Sequence, residues 1–143
     1  MSDQNETILH RWFEEVWNKG RAEAIDEMFA CDGIVHGLAG ESSEELCGPE
    51  GFKPFFQSFR NAFPDLKVTV EDTVSEGDKV VARCTVRGTH TGEGIGIAPT
   101  EQPVEFSGIC IVRVKDGQVV EAWNNFDFMK MFQQMGVMQP PGQ

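Results

Sequence analysis

The chain has 143 residues, the span of one ordinary domain, enough to bury a single core and too short to divide into two. Its 40% hydrophobic and 24% charged residues lie near soluble-protein averages and away from disordered, collagenous or disulfide-packed chains. Twelve Lys plus Arg against twenty-three Asp plus Glu leave a net charge of −11, a field that repels phosphate backbones and anionic head groups, so neither nucleic acid nor a membrane is an expected partner.

Along the chain, Met1 to Glu6 carries no basic or apolar leader pattern, and no apolar run approaches a bilayer span, so a cytoplasmic location is the expectation. Thr7 to Lys19 places Ile8, Trp12, Phe13, Val16 and Trp17 at helical spacing, with Gly20 as a stop, and Arg21 to Phe29 repeats the pattern with Ala22, Ile25, Met28 and Phe29. Gly33 to Leu38 reads as a short strand, followed by a polar loop from Gly40 to Glu45. Pro49 suits the first turn of a third helix through Phe52, Phe55, Phe56 and Phe59 to Phe63, ended by Pro64.

From Leu66 the period becomes alternating, with Val68, Val70 and Val74 on one side and Lys67, Thr69, Glu71 and Thr73 on the other. Glu76-Gly77-Asp78 turns into a long strand, Lys79 to His90, in which Val80, Ala82, Cys84 and Val86 form the apolar side. The Gly- and Pro-rich stretch from Thr91 to Pro103 reads as a lid or pocket rim. Val104 to Lys115 and Gln118 to Phe128 flank Asp116-Gly117, a strong hairpin signal. A last helix, Met129 to Met135, stops at Gly136, and Gln139 to Gln143 is a frayed tail.

This order predicts a single α+β domain over 1–143, ordered over about 5–137. A curved antiparallel sheet packs against three N-terminal helices, with a short C-terminal helix, around a concave apolar cavity suited to a small organic ligand. Cys31, Cys47, Cys84 and Cys110 lie far apart with no C-x-x-C, so reduced, mostly buried thiols are expected. The absence of Tyr excludes any mechanism that needs a phenolic proton donor.

The hairpin supplies a geometric reading of the site. With Asp116 and Gly117 as the loop, an unbroken ladder sets Trp123 opposite Cys110, Asn125 opposite Gly108 and Asp127 opposite Phe106. Trp123, Asn125 and Asp127 then share the apolar face of Phe106, Cys110 and Val112. A carboxylate there is costly unless it is paired or its pKa rises, which is what a general acid/base needs. Asp127 equally suits the N-cap of the last helix, and the residues alone leave both roles open.

His36 and His90, each in or at the end of a strand, could orient a carbonyl, donate a proton or pair with a carboxylate, or be structural. His10 lies on the polar side of its helix. Three histidines without close spacing make no metal site, and none is expected. Arg83, Arg87 and Val81 face the other side of the sheet, which a homodimer would cover. Glycines 92, 94 and 96 lack any phosphate-loop context. The five helical Phe residues, with Trp12 and Trp17, read as core and pocket lining.

Gly48-Pro49-Glu50-Gly51-Phe52, Ala62-Phe63-Pro64-Asp65, Gly77 to Arg83, Gly88-Thr89-His90-Thr91-Gly92, Pro99-Thr100 and Asp116 to Trp123 with Asp127 together resemble the SnoaL-like polyketide cyclases over nearly the whole chain. The resemblance implies the α+β cone shared with ketosteroid isomerase and nuclear transport factor two, assembled as a homodimer or homotetramer. It also implies intramolecular aldol ring closure of a small apolar or aromatic polycarbonyl substrate, with no cofactor or metal. Asp127 matches the family's Trp-x-x-x-Asp motif and would be the acid/base, with His90 and His36 holding or polarising the substrate. Trp123, Asn125, Phe106, Phe56 and Trp17 would bind it. Lacking Tyr, the chain cannot reproduce the Tyr-and-Asp oxyanion hole of ketosteroid isomerase. Dehydration, isomerisation or epoxide hydrolysis in the same pocket, a non-catalytic carrier or sensor, and an interaction module are the alternatives.

Overall fold

The computed structural model describes residues 8–38 and 45–137. Thr7, the expected loop apart from Glu45, and the tail over 139–143 lie outside the described residues. Helix α1 covers residues 8–18, an α-helical turn leading into a π-helical stretch over Trp12–Asn18. The widened turn shows in the Lys19 amide donating to the Glu14 carbonyl at 2.9 Å, and its five-residue repeat brings Trp12 and Trp17 to one side. Helix α2, Ala22–Met28, runs directly into strand β1, Phe29–His36. The strand expected from Gly33 thus starts earlier, because Phe29 and Ala30 are buried against the helices. Strand β2 is the short pair Leu46–Cys47, and helix α3 spans Gly48–Ala62 with Pro49 in its first turn.

Strands β3 (Lys67–Glu76), β4 (Lys79–Thr89), β5 (Pro103–Lys115) and β6 (Gln118–Phe126) form the meander, and α4 (Phe128–Met135) closes the chain at Gly136, whose φ is 81°. The six strands lie in one curved, unclosed sheet of order β2-β1-β6-β5-β4-β3. Every neighbouring pair is antiparallel except β1 with β6, which is parallel. The sheet is therefore mixed: the meander begins at β3, opposite in sense to β1, and its three reversals bring β6 beside β1 in the direction of β1. Among the described residues no helix is long and apolar enough to cross a membrane.

Phe13, Val16 and Trp17 of α1 and Phe52, Phe56 and Phe59 of α3 are buried against Val80, Ala82, Cys84 and Val86 of β4 and Phe106, Cys110 and Val112 of β5. Removing each such aromatic side chain from water contributes roughly 1.5–3 kcal/mol. Asn18 fastens α1 to the edge of the sheet: its side-chain nitrogen donates to the Val68 carbonyl at 2.9 Å, and its oxygen accepts from the Val68 amide at 2.6 Å. The side chain thereby does for β3 what a further strand would do.

Two one-residue bulges correct the expected register. In β3, Val70 pairs with Cys84 but Asp72 with Arg83, so Glu71 is the extra residue. The alternation reverses there, and Val74, expected beside Val68 and Val70, is 65% exposed. In β6, Val119 pairs with Val114 but Glu121 with Arg113, leaving Val120 unmatched. Beyond it Ala122 pairs with Val112, Asn124 with Cys110 and Phe126 with Gly108. A slip of one residue moves every side chain to the other face. Trp123, Asn125 and the chain leading to Asp127 therefore follow the outer face of the sheet, opposite to the unbroken-ladder expectation.

The hairpin turn itself is as expected, with φ positive at both Asp116 (53°) and Gly117 (78°). The loop over residues 91–102 lies along α3, where the Gly92 amide donates to the Ala62 carbonyl at 3.1 Å. A Cβ at Gly92 would meet the Asn61 carbonyl oxygen at 1.9 Å, so this glycine permits close packing on a helix. Its residues are absent from the lining of the main cavity, which corrects the pocket-rim expectation.

Candidate functional site

The concave side of the sheet and the helices form a partly open cavity of about 70 Å³. Trp12, Phe13 and Trp17 of α1, Phe52, Phe55 and Phe59 of α3, Phe106 and Cys110 of β5, and Ala122, Asn124 and Phe126 of β6 line it, with Phe128 of α4 at the end. The aromatic walls are interlocked: Trp17 meets Phe52, Phe55, Phe56 and Phe59 with ring centroids 5.5–6.1 Å apart. Edge-on contacts of this kind hold aromatic walls in defined orientations.

Among the described residues Asn124 supplies the one carboxamide of the lining. Its side-chain nitrogen donates to the His36 carbonyl at 3.1 Å. The buried thiols stay neutral, because burial pushes Cys84 up to about 12 and raises Cys110 further in the same direction, with Cys84 as its neighbour. Cys110 is therefore an apolar wall element rather than a nucleophile. Cys31 and Cys47, expected among mostly buried thiols, are exposed. Among the described residues no three His, Cys, Asp or Glu side chains gather so as to hold a metal ion.

Of the residues singled out in the sequence, Phe106 and Trp17 line the cavity, and Phe56 is buried directly behind Trp17. The other candidates lie elsewhere. Asp127 is exposed and accepts from the Lys130 amide at 3.0 Å, the N-cap geometry for α4. It borders a shallow outer groove with Arg83, Ser107, Ile109 and Asn125. Its immediate neighbours Phe126 and Phe128 both line the cavity, so its backbone runs along the cavity wall while its carboxylate faces away.

His36 lies on the outer face, with Nε2 2.8 Å from Glu121 Oε2 and its ring stacked on Trp123 at 5.6 Å. Nδ1 is 3.4 Å from Glu45 Oε1. Lys79 and Arg113 approach the Trp123 ring at 6.0 and 5.9 Å, so Trp123 is the hub of a charged outer cluster rather than a pocket wall.

His90 is fully buried beside Phe63, and its Nδ1 takes the Thr100 amide at 3.2 Å and lies 3.0 Å from the Thr100 hydroxyl. The amide bond assigns the proton to Nε2, which has no partner among the described residues. His90 ties both ends of its loop, donating through its backbone to Gln102 and accepting from Glu101. Neither histidine reaches the cavity lining, and the structure does not gather Asp127, His90 and His36 into one cluster.

Asn124, Phe126 and Phe128 are lining residues that sequence reasoning did not select, whereas Trp12, Phe52, Phe55 and Phe59, expected as core and pocket lining, do line the cavity. One signal was available for β6. Inward residues of a regular strand are separated by even steps, whereas the apolar Val119 and Ala122 are three apart, as a bulge between them requires.

Comparison with known proteins supplies the wider setting. A family model described as SnoaL-like polyketide cyclase matches residues 7–135. Among curated proteins, the aklanonic acid methyl ester cyclase DnrD of Streptomyces peucetius is 26% identical over 133 residues, covering 92% of this chain and 91% of that protein. Its counterpart DauD of Streptomyces sp. strain C5 is also 26% identical, over 92% of this chain and 82% of its own. Among solved structures, IdmH of Streptomyces antibioticus, a proposed polyketide cyclase, superposes with a TM-score of 0.81 at 35% identity, over 94% of this chain and 99% of its own. A SnoaL-like protein of Jannaschia sp. CCS1 gives 0.84 at 25% identity, over 96% and 94%.

Proposed function

Since the chain belongs to the SnoaL-like polyketide cyclase family, we propose that it closes a ring by intramolecular aldol condensation of a small aromatic polycarbonyl compound, without cofactor, in the cavity under α1, α3 and α4. The observation that carries the reading is the aromatic cavity with Asn124 in its wall, near the end of the strand that leads into Asp127. Aromatic walls hold a flat substrate, and exclusion of water strengthens each polar contact inside.

In this reading Asp127 is the acid/base. Its carboxylate takes a proton from the carbon α to one carbonyl, and the electron pair moves onto that oxygen as an enolate. The enolate carbon attacks a second carbonyl, and the proton returns to the alkoxide formed there. Phe126 and Phe128 flank Asp127 on the cavity wall. Rearranging the first turn of α4 would release the carboxylate from the Lys130 amide and turn it inward. The same movement would enlarge the cavity, whose 70 Å³ is far below the roughly 300–1,000 Å³ of ordinary ligand sites. His36 then acts as a positioning residue through its carbonyl on Asn124, and His90 through the loop packed on α3.

A second reading, a carrier of an apolar molecule, is favoured by the absence of any carboxylate or histidine among the described residues of the lining. The two separate on incubation with aklanonic acid methyl ester, the compound named for the two curated relatives. The enzyme reading expects a cyclised product, and an Asp127→Asn variant that binds normally but turns over at least about a hundredfold more slowly. Tight binding with no product from that ester or from a panel of related polycarbonyls would establish the carrier instead.

We propose further that the outer face, where Ile109 is 44% exposed between Arg83 and Asn125, is covered by a second copy in a homodimer. Sedimentation velocity should give a dimer that Ile109→Lys converts to a monomer.

A further inference from the structure

We infer that Asn124 presents a hydrogen-bond acceptor to the cavity and thereby selects ligands bearing a hydroxyl there, phenolic or enolic, over their ethers and simple ketones. The inference rests on the reading of the cavity as the ligand site.

A carboxamide can offer either its oxygen or its nitrogen, and its partners decide which. The partner here is the backbone carbonyl of His36, 3.1 Å from the Asn124 nitrogen. A carbonyl only accepts, so the nitrogen is held at β1; the flipped amide would set two oxygens against each other. The second N–H belongs to that same nitrogen on the β1 side. Among the described residues this is the one hydrogen bond of the Asn124 side chain, so the oxygen is the end left for a ligand.

The His36 carbonyl is itself fixed. Outside the sheet its side chain is held 2.8 Å from Glu121 and stacked on Trp123. On its other side stands Gly37, with φ of 88°, where a Cβ would lie 2.2 Å from the Asn124 backbone oxygen. Glycine alone allows the end of β1 so close to β6. Among the described residues the other side chains of the lining offer no equivalent acceptor: they are aliphatic and aromatic apart from the Cys110 thiol, a weak acceptor, and the Trp12 and Trp17 indoles, which only donate. A buried acceptor left unmatched is penalised more than a matched one is rewarded, which turns one side chain into a filter. A 1,3-dicarbonyl compound satisfies it in its enol form, in which the O–H donates to Asn124.

The test compares 2-naphthol, 2-methoxynaphthalene and 2-acetylnaphthalene by titration calorimetry. The native protein should bind 2-naphthol about tenfold more tightly than the ether or the ketone. Asn124→Leu should bring the three within about twofold of one another while keeping its affinity for the ether. Should that variant fail to fold, the ratios for the native protein still decide. Equal binding of all three, or preference for the ketone, would overturn the acceptor assignment and leave the cavity reading standing. If none of the three binds, the cavity reading fails and the inference falls with it.

Discussion

The two faces of strands β5 and β6 are built from alternate residues of the same segments, and they have become different materials. Inward, Phe106, Cys110, Val112, Val119 and Ala122 are buried and form a dry wall broken at Asn124. Outward, Arg113, Glu121, Trp123 and Asn125 form a half-exposed charged surface with His36 stacked into it. In β6, which residue beyond Val119 belongs to which face is set by the bulge, because Val120 stands outside the ladder and the alternation restarts at Glu121. Chemistry-bearing side chains are therefore sorted by strand fit, and a side chain's neighbours in sequence say little about its neighbours in space.

The strongest way to break this contrast is to insert one residue between Glu121 and Ala122. Paired opposite Val112, the added residue would drive Trp123 inward and Ala122 and Asn124 outward, and we expect loss of the cooperative thermal transition and of near-ultraviolet circular dichroism. An insertion variant melting within a few degrees of the native protein, on the scale of about 1 kcal/mol, would mean that the register of β6 does not sort the faces. Next comes a matched pair of truncations. Phe106→Ala should cost about 3–5 kcal/mol in urea unfolding, and Trp123→Ala about 1 kcal/mol or less, because only the first opens a void in the core. Equal costs would put Trp123 inside.

The inward thiols add a dependence on pH. Cys84 titrates near 12 in the folded protein because burial disfavours the thiolate, against an ordinary 9.0. The native state therefore keeps a proton that the unfolded chain releases. The corresponding stability is full below pH 9.0 and is lost as pH rises toward 12. On this account Cys84→Ala should flatten the alkaline decline of the unfolding free energy by an amount on the order of 2 kcal/mol near pH 11. An unchanged slope would place the loss elsewhere.

Smaller effects belong to the outer side. Asp127→Ala should cost about 1 kcal/mol through the lost N-cap, most of it restored in Asp127→Asn, since Asn caps as well. Comparing the stability of these variants with their turnover separates a cap from an acid/base. Smallest of all, Arg83→Gln removes an exposed pair with Asp72 at 3.1 Å and should change stability by less than about 0.5 kcal/mol. A larger loss would show that this face is covered.

Much of the fold could be read in advance from local pattern. The helical spacing of Phe52, Phe56 and Phe59, the alternation of Val80, Ala82, Cys84 and Val86, and the Asp116-Gly117 turn each appear where expected. Phe106 and Trp17 were likewise found as lining because their size and apolarity leave few other positions for them. The polar part of the site was less legible. Asn124 was passed over for Asn125, one residue away, because the alternation was continued through Val120. Asp127 carried two roles that no local feature could separate, and its contact with the Lys130 amide is visible only once α4 has a position and a direction.

By itself, then, the sequence determined the order of elements, the apolar segments, the hairpin turn and the family, all of which rest on periodicities and motifs held within short stretches of chain. The bulges at Glu71 and Val120, the parallel seating of β1 on β6, the lining of the cavity and the direction of each polar side chain were decided only in three dimensions. The physical reason is that a strand's register is a property of two strands and of the curvature they share. A residue's own preference for a strand is the same on either face, and the face is chosen by whichever arrangement buries the most apolar surface across the whole sheet.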